Sequence, residues 1–176
     1  MKLWLLSILL ALTVPVILMT AKEEVPWMET VTLSSPAFKH GEPIPARYTC
    51  DGADTSTPLA IGTIPPATRM LALIMEDPDA PAGNWVHWVV WNIPTQTREI
   101  PENSLPAGTH QGMNDWKRKN YGGPCPPSGT HRYYFRLYAV DTSLLLTSET
   151  TKSGLLRAME GHIVAKGELM GTYRRR

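Results

Sequence analysis

Two stretches of the sequence carry acids and histidines at the points where a turn-rich loop runs into an apolar strand. EDPDAPAGNWVHW contains Asp77, Asp79 and His87, and GGPCPPSGTHRYYFRLYA contains His131 and Tyr133. The surrounding proline and glycine residues fix the backbone without adding reactive groups. Imidazole and phenol groups can donate hydrogen bonds to a phosphate or a carboxylate, and a nearby carboxylate can orient them. The two stretches therefore predict a rigid pocket for a small anion.

Asp77 and Asp79 flank Pro78, which restricts the residue before it to an extended or turn conformation. In an isolated Asp-Pro-Asp segment, aspartate usually only accepts hydrogen bonds from turn amides. His87 lies in an apolar aromatic strand, where a histidine is ordinarily a core residue. A functional role for Asp77 and His87 requires the two side chains to face each other across a hairpin-like return. Such a pair would fix the tautomer of the imidazole and raise the pKa of His87 by charge attraction.

Further donors are expected beside His131. Tyr133 shares a strand face with His131 if the side chains alternate, and Gly122 and Gly123 lie in the same stretch. Successive backbone amides in a turn form a concave anion site. These amides add to the donors that favour a phosphate-type ligand.

Metal binding and catalysis are alternative uses of the same residues. Asp77, His87 and His131 offer two imidazoles and one carboxylate, a set that zinc accepts. No local pair of histidines supports a metal, so we favour an anion and expect neither a metal nor another cofactor. Ser128 lies near His131 in a turn that accounts for it, and no Gly-x-Ser-x-Gly turn is present. We expect no enzymatic activity.

Three apolar strands must position these side chains. Runs rich in valine, leucine and aromatic residues predict strands at Arg69–Pro78, Asn84–Pro94 and His131–Asp141. Strict alternation places two sets of side chains on common faces: Trp85, His87, Val89 and Trp91 in the second strand, and His131, Tyr133, Phe135 and Leu137 in the third.

The rest of the chain predicts a scaffold that is mainly β. Val31–Phe38 alternates well enough for a further strand, and a long irregular stretch follows it. The one convincing helix begins at Thr150 or Thr151 and ends at Gly161, before a last strand at Ile163–Tyr173. This order indicates a sandwich-like β domain with a short C-terminal helix.

The N-terminal stretch has the layout of a secretory signal. Lys2 precedes a mostly apolar run from Leu3 to Met19 that Pro15 interrupts, and small and charged residues follow. We interpret residues 1–21 as a signal peptide, with an uncleaved membrane anchor as the alternative because Met19 suits cleavage after Ala21 poorly. Residues 22–30 form a linker, and residues 31–176 form one domain. The protein is expected to be exported, to the periplasm or the extracellular space.

The balance of charge argues against nucleic acid as a partner. Lysine and arginine number 17 against 16 aspartates and glutamates, which gives a net charge of +1. Binding to nucleic acid requires a clustered excess of basic residues. The sequence also predicts no contact with a membrane, except through the N-terminal segment if that segment is not cleaved.

Cys50 and Cys125 are the only two cysteines in the sequence. In an oxidising compartment an even number of cysteines is usually paired, so export predicts a Cys50–Cys125 disulfide. Closing such a long loop would stabilise the fold by about 4 kcal/mol in the chain-entropy model. Two free thiols are the alternative; a catalytic thiol is disfavoured because nothing near Cys125 would lower its pKa.

Several motifs together resemble one known family. DPDAP, WVHW and GGPCPPSGTHRYYFRLYA are similar to the two long motifs of the phosphatidylethanolamine-binding protein or Raf kinase inhibitor family. CDGADTSTPL, VVWNIP, LPAGTHQGMNDW and GHIVAKGELMGTY look like its bacterial and archaeal branch. The resemblance covers the chain from Val31 to Tyr173, and it implies a Greek-key sandwich of two antiparallel sheets with a small anion pocket at one end.

The resemblance also assigns roles to residues of this chain. It implies a pocket formed by Asp77 with Asp79 as its structural neighbour, Trp85 in the wall, the imidazoles of His87 and His131, the hydroxyl of Tyr133, and Gly123 and Pro124 at the rim. In animal members an aromatic residue of a C-terminal helix closes the pocket. The ending differs here, and Tyr173 is the candidate for that position.

The family resemblance implies binding of phospholipid headgroups, nucleotides or phosphorylated groups, and inhibition of kinases or proteases. A cytosolic kinase does not suit an exported chain. We therefore expect a small-ligand-binding or regulatory protein with a preformed pocket for a phosphate-bearing or other anionic group. Protease inhibition through the loop Gly108–Gly123 is the alternative, and a hydrolase that uses histidine and aspartate as acid and base ranks last.

Overall fold

The structure is a computed structural model that describes residues 28–175. The predicted signal peptide or anchor at residues 1–21 and most of the linker lie outside the described residues. The strands are β1 Glu29–Thr30, β2 Leu33–Ser34, β3 Leu59–Ile61, β4 Met70–Asp77, β5 Trp85–Pro94, β6 Glu99–Ile100, β7 His110–Gln111, β8 His131–Val140 and β9 Ile163–Tyr173, and the helix α1 is Lys152–Met159.

These strands form two sheets. The large sheet has the order β1, β9, β8, β4, β5, β7, and the small sheet has the order β2, β3, β6. The short strand β1 pairs with β9 in parallel, and the other pairs between these strands are antiparallel. The predicted fold class, mainly β with two sheets and one short helix, is confirmed for the described part of the chain.

The strands that carry the candidate site match their predicted bounds to within a residue, as does β9. The predicted strand at Val31–Phe38 is reduced to Leu33–Ser34. Pro36 has no amide hydrogen to extend the strand, and the Ser35 hydroxyl bonds to Pro58 O and accepts from the Ala37 amide instead.

The helix begins after Thr151, which has an extended conformation. Its end is followed by Gly161 at φ +76°, a left-handed conformation that glycine adopts without strain. Both predicted boundaries of the helix are therefore close to the observed ones.

Apolar side chains cover both faces of the large sheet. The first cluster lies between the two sheets and contains Leu33, Leu59, Ile61 and Ile100 of the small sheet and Leu73, Met75, Trp88, Phe135 and Leu137 of the large sheet. The second lies between the large sheet and α1 and contains Ile74, Val89, Trp91, Val140, Leu155 and Met159. Burial of each large apolar side chain stabilises the fold by about 2 kcal/mol.

A β-bulge interrupts the alternation of β5 at His87. Met75 pairs with Trp88 and Glu76 pairs with Val86, so His87 is the extra residue between two register positions. Strict alternation would place His87 with the residues that face the helix. The bulge instead turns the imidazole toward Tyr133 on the face between the sheets, with the two ring centroids 5.2 Å apart.

Candidate functional site

The end of β4 meets the start of β8 in a buried hydrogen bond. Asp77 Oδ2 lies 2.8 Å from His131 Nδ1, and the residues are 3% and 7% exposed. Sequence reasoning paired Asp77 with His87, and this pairing is wrong. Because the antiparallel register places Glu76 opposite Tyr134, the last residue of β4 lies beside the first residues of β8.

Asp77 is fixed from its other oxygen as well. Asp77 Oδ1 accepts a hydrogen bond from the Asp79 amide at 2.8 Å, across the Pro78 turn. Asp79 in turn accepts hydrogen bonds from the Arg132 guanidinium and from the Arg132 amide. The guanidinium lowers the pKa of Asp79 to about 2. Asp79 and Arg132 therefore hold the turn that carries Asp77.

His87 is held by the second motif. Its Nδ1 donates to Gly122 O at 2.7 Å, and the residue is 2% exposed. Burial lowers the pKa of His87, although nearby Asp77 acts in the opposite direction. The prediction of a raised pKa is therefore wrong, because the cost of desolvation exceeds the charge attraction. The hydrogen bonds of the described residues include none to Nε2 of this ring.

Trp116 belongs to the site and was missed in the sequence. Its ring packs edge-on against Trp85 at 5.5 Å and against His87 at 4.8 Å between centroids. Gly122 makes room for it, since a Cβ at Gly122 would lie 2.7 Å from the indole ring. A single tryptophan in an otherwise polar loop was the only sequence signal for this role.

A pocket of about 270 Å³ opens beside these rings. It is lined by Asp77, Ala80, Pro81, Ala82, Trp85, His87, Trp116, Cys125 and Pro127. Three predicted site residues therefore line it directly. Two more stand behind its wall, where His131 bonds to Asp77 and Tyr133 packs against His87.

The amides of Gly122 and Gly123 are bonded within the protein. The Gly122 amide donates to His87 O at 3.1 Å, and the Gly123 amide donates to Asp54 Oδ1 at 2.7 Å. A Cβ at Gly123 would lie 2.5 Å from Tyr48 O, so this glycine is required by the close approach of the neighbouring loop. The expectation that both amides donate to an anion is therefore wrong, because each already donates to an acceptor of the protein.

The predicted disulfide between Cys50 and Cys125 is present, with 5.4 Å between the Cα atoms. Pro124 O, next to it, accepts a hydrogen bond from the Cys50 amide at 3.2 Å. Gly123 and Pro124, the expected rim, are buried against this loop, and Cys125 and Pro127 line the pocket in their place.

Two buried polar atoms of predicted site residues have no hydrogen-bond partner among the described residues. They are the Tyr133 hydroxyl and Trp85 Nε1. Tyr133 is fully buried, and burial, with the neighbouring Asp77 carboxylate, raises the pKa of its hydroxyl. Such atoms are costly to bury without a partner and mark a place for a polar ligand or water.

Tyr173 does not line the pocket of His87. It lies opposite His131 in the pairing of β8 with β9, and its hydroxyl donates to Asp51 Oδ2 at 2.9 Å. Its ring borders a separate cavity of about 690 Å³ together with Ile44 and Arg174.

Residues 28–175 contain neither a candidate metal centre nor a helix that could span a membrane. In that range no group of three or more His, Cys, Asp and Glu side chains is arranged to hold a metal ion. No helix there has the length and apolar character needed to cross a membrane.

Comparison with known proteins agrees with the fold. Residues 34–174 match the model of the phosphatidylethanolamine-binding protein family. A UPF0098 protein of Methanothermobacter thermautotrophicus is 48% identical over 150 residues, which cover 82% of this chain and 99% of the relative. A UPF0098 protein of Archaeoglobus fulgidus is also 48% identical, over 87% of this chain and 54% of the relative.

Two solved structures share the fold. The crystal structure of a phosphatidylethanolamine-binding protein homologue from Chlamydia trachomatis has 41% identity and a TM-score of 0.81, over 84% of this chain and 99% of that chain. Escherichia coli YbcL, described as a new member of the mammalian family, has 29% identity and a TM-score of 0.78, over 83% of this chain and 99% of that chain. With its two motifs, its sheets and these relatives, the chain belongs to the phosphatidylethanolamine-binding protein family.

Proposed function

We propose that this chain is an exported small-ligand-binding or regulatory protein whose pocket takes a phosphate-bearing or related anionic group. The observation that carries the proposal is the buried imidazole of His87. Its Nδ1 proton is committed to Gly122 O, while Nε2 has no partner among the described residues. Neutral Nε2 accepts a hydrogen bond, and protonated Nε2 donates a charge-assisted one.

The charges of the pocket favour a phosphate that still carries a proton. Asp77 brings a carboxylate into the lining, which repels an anion without a donor hydrogen. A phosphate group that keeps one proton offers a donor and an acceptor. Its P–OH donates to Asp77, and its anionic oxygen accepts from protonated His87 Nε2. The anion therefore stabilises the charged imidazole that burial alone disfavours.

The apolar part of the wall strengthens these contacts. The rings of Trp85 and Trp116 exclude water from one side of the pocket, and hydrogen bonds to charged groups are stronger in such surroundings. A volume of about 270 Å³ suits a small headgroup rather than a large ligand.

Calorimetric titration tests this function. We expect inorganic phosphate and O-phosphorylethanolamine to bind near pH 6.5, ethanolamine alone not to bind, and His87→Ala to lower the affinity at least tenfold. His162→Ala is the matched control, because His162 also bonds to an aspartate, Asp141, but on the surface. Absence of binding of both phosphate compounds to the intact chain would disprove the proposal.

Protease inhibition remains the second candidate, and one feature of the loop Gly108–Gly123 favours it. Asn114 is buried and braces the loop, since its Nδ2 donates to Asn120 O at 2.9 Å and its Oδ1 accepts from the Arg118 amide at 3.0 Å. The exposed tip contains Lys117, Arg118 and Lys119, residue types after which trypsin-like proteases cleave. Titration of trypsin with a stoichiometric excess tests it, and full residual protease activity would remove this candidate.

A further inference from the structure

We propose that the Cys50–Cys125 disulfide positions His87, so that reduction by a dithiol lowers the affinity of the pocket for phosphate-type anions. The inference rests on the proposed function and adds regulation of the same site. It starts from the fact that Cys125 is both half of the cross-link and part of the pocket wall.

Gly122 controls the orientation of the imidazole. It bonds to His87 twice, because its amide donates to His87 O at 3.1 Å and its carbonyl accepts from His87 Nδ1 at 2.7 Å. A shift of Gly122 therefore moves the acceptor that fixes the tautomer and the direction of Nε2.

The segment after Gly122 is held by the loop that contains Cys50. The Gly123 amide donates to Asp54 Oδ1 at 2.7 Å, and the Cys50 amide donates to Pro124 O at 3.2 Å. The disulfide is the covalent member of this set of contacts. Without it, these two hydrogen bonds and the one from the Tyr121 hydroxyl to Tyr48 O at 2.8 Å must keep the segment in register against the exposed loop.

The sulfur atoms are placed for reduction from solvent. Cys50 is exposed and Cys125 is half-buried. A thiolate of the dithiol attacks Cys50 Sγ, and Cys125 leaves as a thiolate that takes a proton from water. The second thiol of the reductant then resolves the mixed disulfide and releases the Cys50 thiol. In total two electrons and two protons pass to the protein, and the dithiol becomes a disulfide.

The experiment compares the oxidised chain with the same chain treated with dithiothreitol. Calorimetry measures the affinity for inorganic phosphate at low temperature, where circular dichroism verifies that both forms are folded. We expect at least a tenfold loss of affinity on reduction. We also expect the His87 Nδ1 proton to exchange with solvent faster relative to the amide protons of β4 and β8 in NMR spectra, because loss of global stability alone speeds the exchange of all these buried protons together.

The double variant Cys50→Ser, Cys125→Ser is the control. We expect it to bind phosphate as weakly as the reduced form does and to show no response to dithiothreitol. Equal phosphate affinity in the oxidised and reduced folded forms would overturn the inference and leave the proposed function intact. If the oxidised chain binds no phosphate, the proposed function fails, and the exchange of the Nδ1 proton decides the inference alone.

A second pair of variants covers the case in which the reduced chain unfolds. Asp54→Ala removes the acceptor of the Gly123 amide with the disulfide intact, and Asp54→Asn keeps an acceptor oxygen while removing the charge. If the segment positions His87, Asp54→Ala lowers phosphate affinity severalfold more than Asp54→Asn does. Equal affinities for the two variants and the unaltered chain would overturn the inference.

Discussion

Asp77 and His131 form a hydrogen bond of 2.8 Å with side chains that are only 5% and 9% exposed. Asp141 and His162 form a pair of the same length on the surface, with side chains that are 44% and 49% exposed. The chain thus contains the same chemical contact in two different surroundings. Contacts of buried polar groups are expensive to break, whereas exposed pairs contribute little.

The comparison predicts the effect of Asp77→Ala. The substitution leaves His131 buried without its acceptor and removes the acceptor of the Asp79 amide. We expect it to lower the free energy of unfolding by about 3 kcal/mol, measured by urea denaturation at neutral pH. Asp141→Ala should cost less than about 1 kcal/mol. Equal effects of the two substitutions would contradict the role of burial.

The fully buried Tyr133 hydroxyl predicts opposite effects on stability and on binding. Tyr133→Phe removes a hydroxyl that has no described partner, so we expect the free energy of unfolding to stay the same or to rise by up to about 1 kcal/mol. Affinity for phosphate should fall. Tyr121→Phe is the control, because the Tyr121 hydroxyl donates to Tyr48 O at 2.8 Å and its loss should cost about 1 kcal/mol.

Long-range pairing explains most of what sequence reasoning missed at the site. The strands β4, β5 and β8 were predictable from their apolar runs, and so were the positions of Asp77, His87 and His131 near their ends. The partner of Asp77 was not, because it depends on which strands become neighbours. The same limit applies to the bulge at His87, since it is a property of the register between β4 and β5 and has no local signature.

The short strands and the path of the loop that contains Trp116 could not be predicted from the sequence for a different reason. Strands of two or three residues are too short for a periodic pattern, and β7 lies inside a stretch that reads as loop. The path of that loop depends on side-chain bonds of the buried Asn114. Its single tryptophan is brought to the pocket by these bonds, which an apolar pattern does not reveal.

The lowered pKa of His87 predicts a dependence of stability on pH. The pKa of His87 in the folded chain lies below the ordinary value of 6.5. As the pH falls below about 6.5, His87 therefore binds a proton in the unfolded chain but stays neutral in the folded chain. The stabilising contribution is complete above pH 6.5 and is lost as the pH falls toward the folded pKa. Urea denaturation between pH 8 and pH 5 should show this loss in the unaltered chain.

His87→Gln removes the titrating group and should flatten the pH profile over the same range. His162→Gln, which alters an exposed histidine, should keep the slope of the unaltered chain. If His87→Gln leaves the slope unchanged, another group is responsible for the pH dependence.

Gly122→Ala tests the fit between Gly122 and Trp116. The new Cβ would lie 2.7 Å from the indole ring, so either the ring or the segment must shift. We expect the free energy of unfolding to fall by about 2 kcal/mol, and phosphate affinity to fall with it. In a Trp116→Ala background the same substitution should cost much less. Additive losses of stability in this double-mutant cycle would show that the two residues do not interact.

The edge-on contact between His87 and Trp116 also gives the pocket an optical signal of its own. A protonated imidazole that contacts an indole quenches the fluorescence of the indole, because the cation interacts with the π-system of the ring. Any ligand that places a proton on His87 should therefore dim Trp116 in the unlabelled protein. Among the six tryptophans of the chain, the difference between the native emission and that of Trp116→Phe isolates this signal. Binding of such a ligand would thus be followed by fluorescence in real time, without a dye.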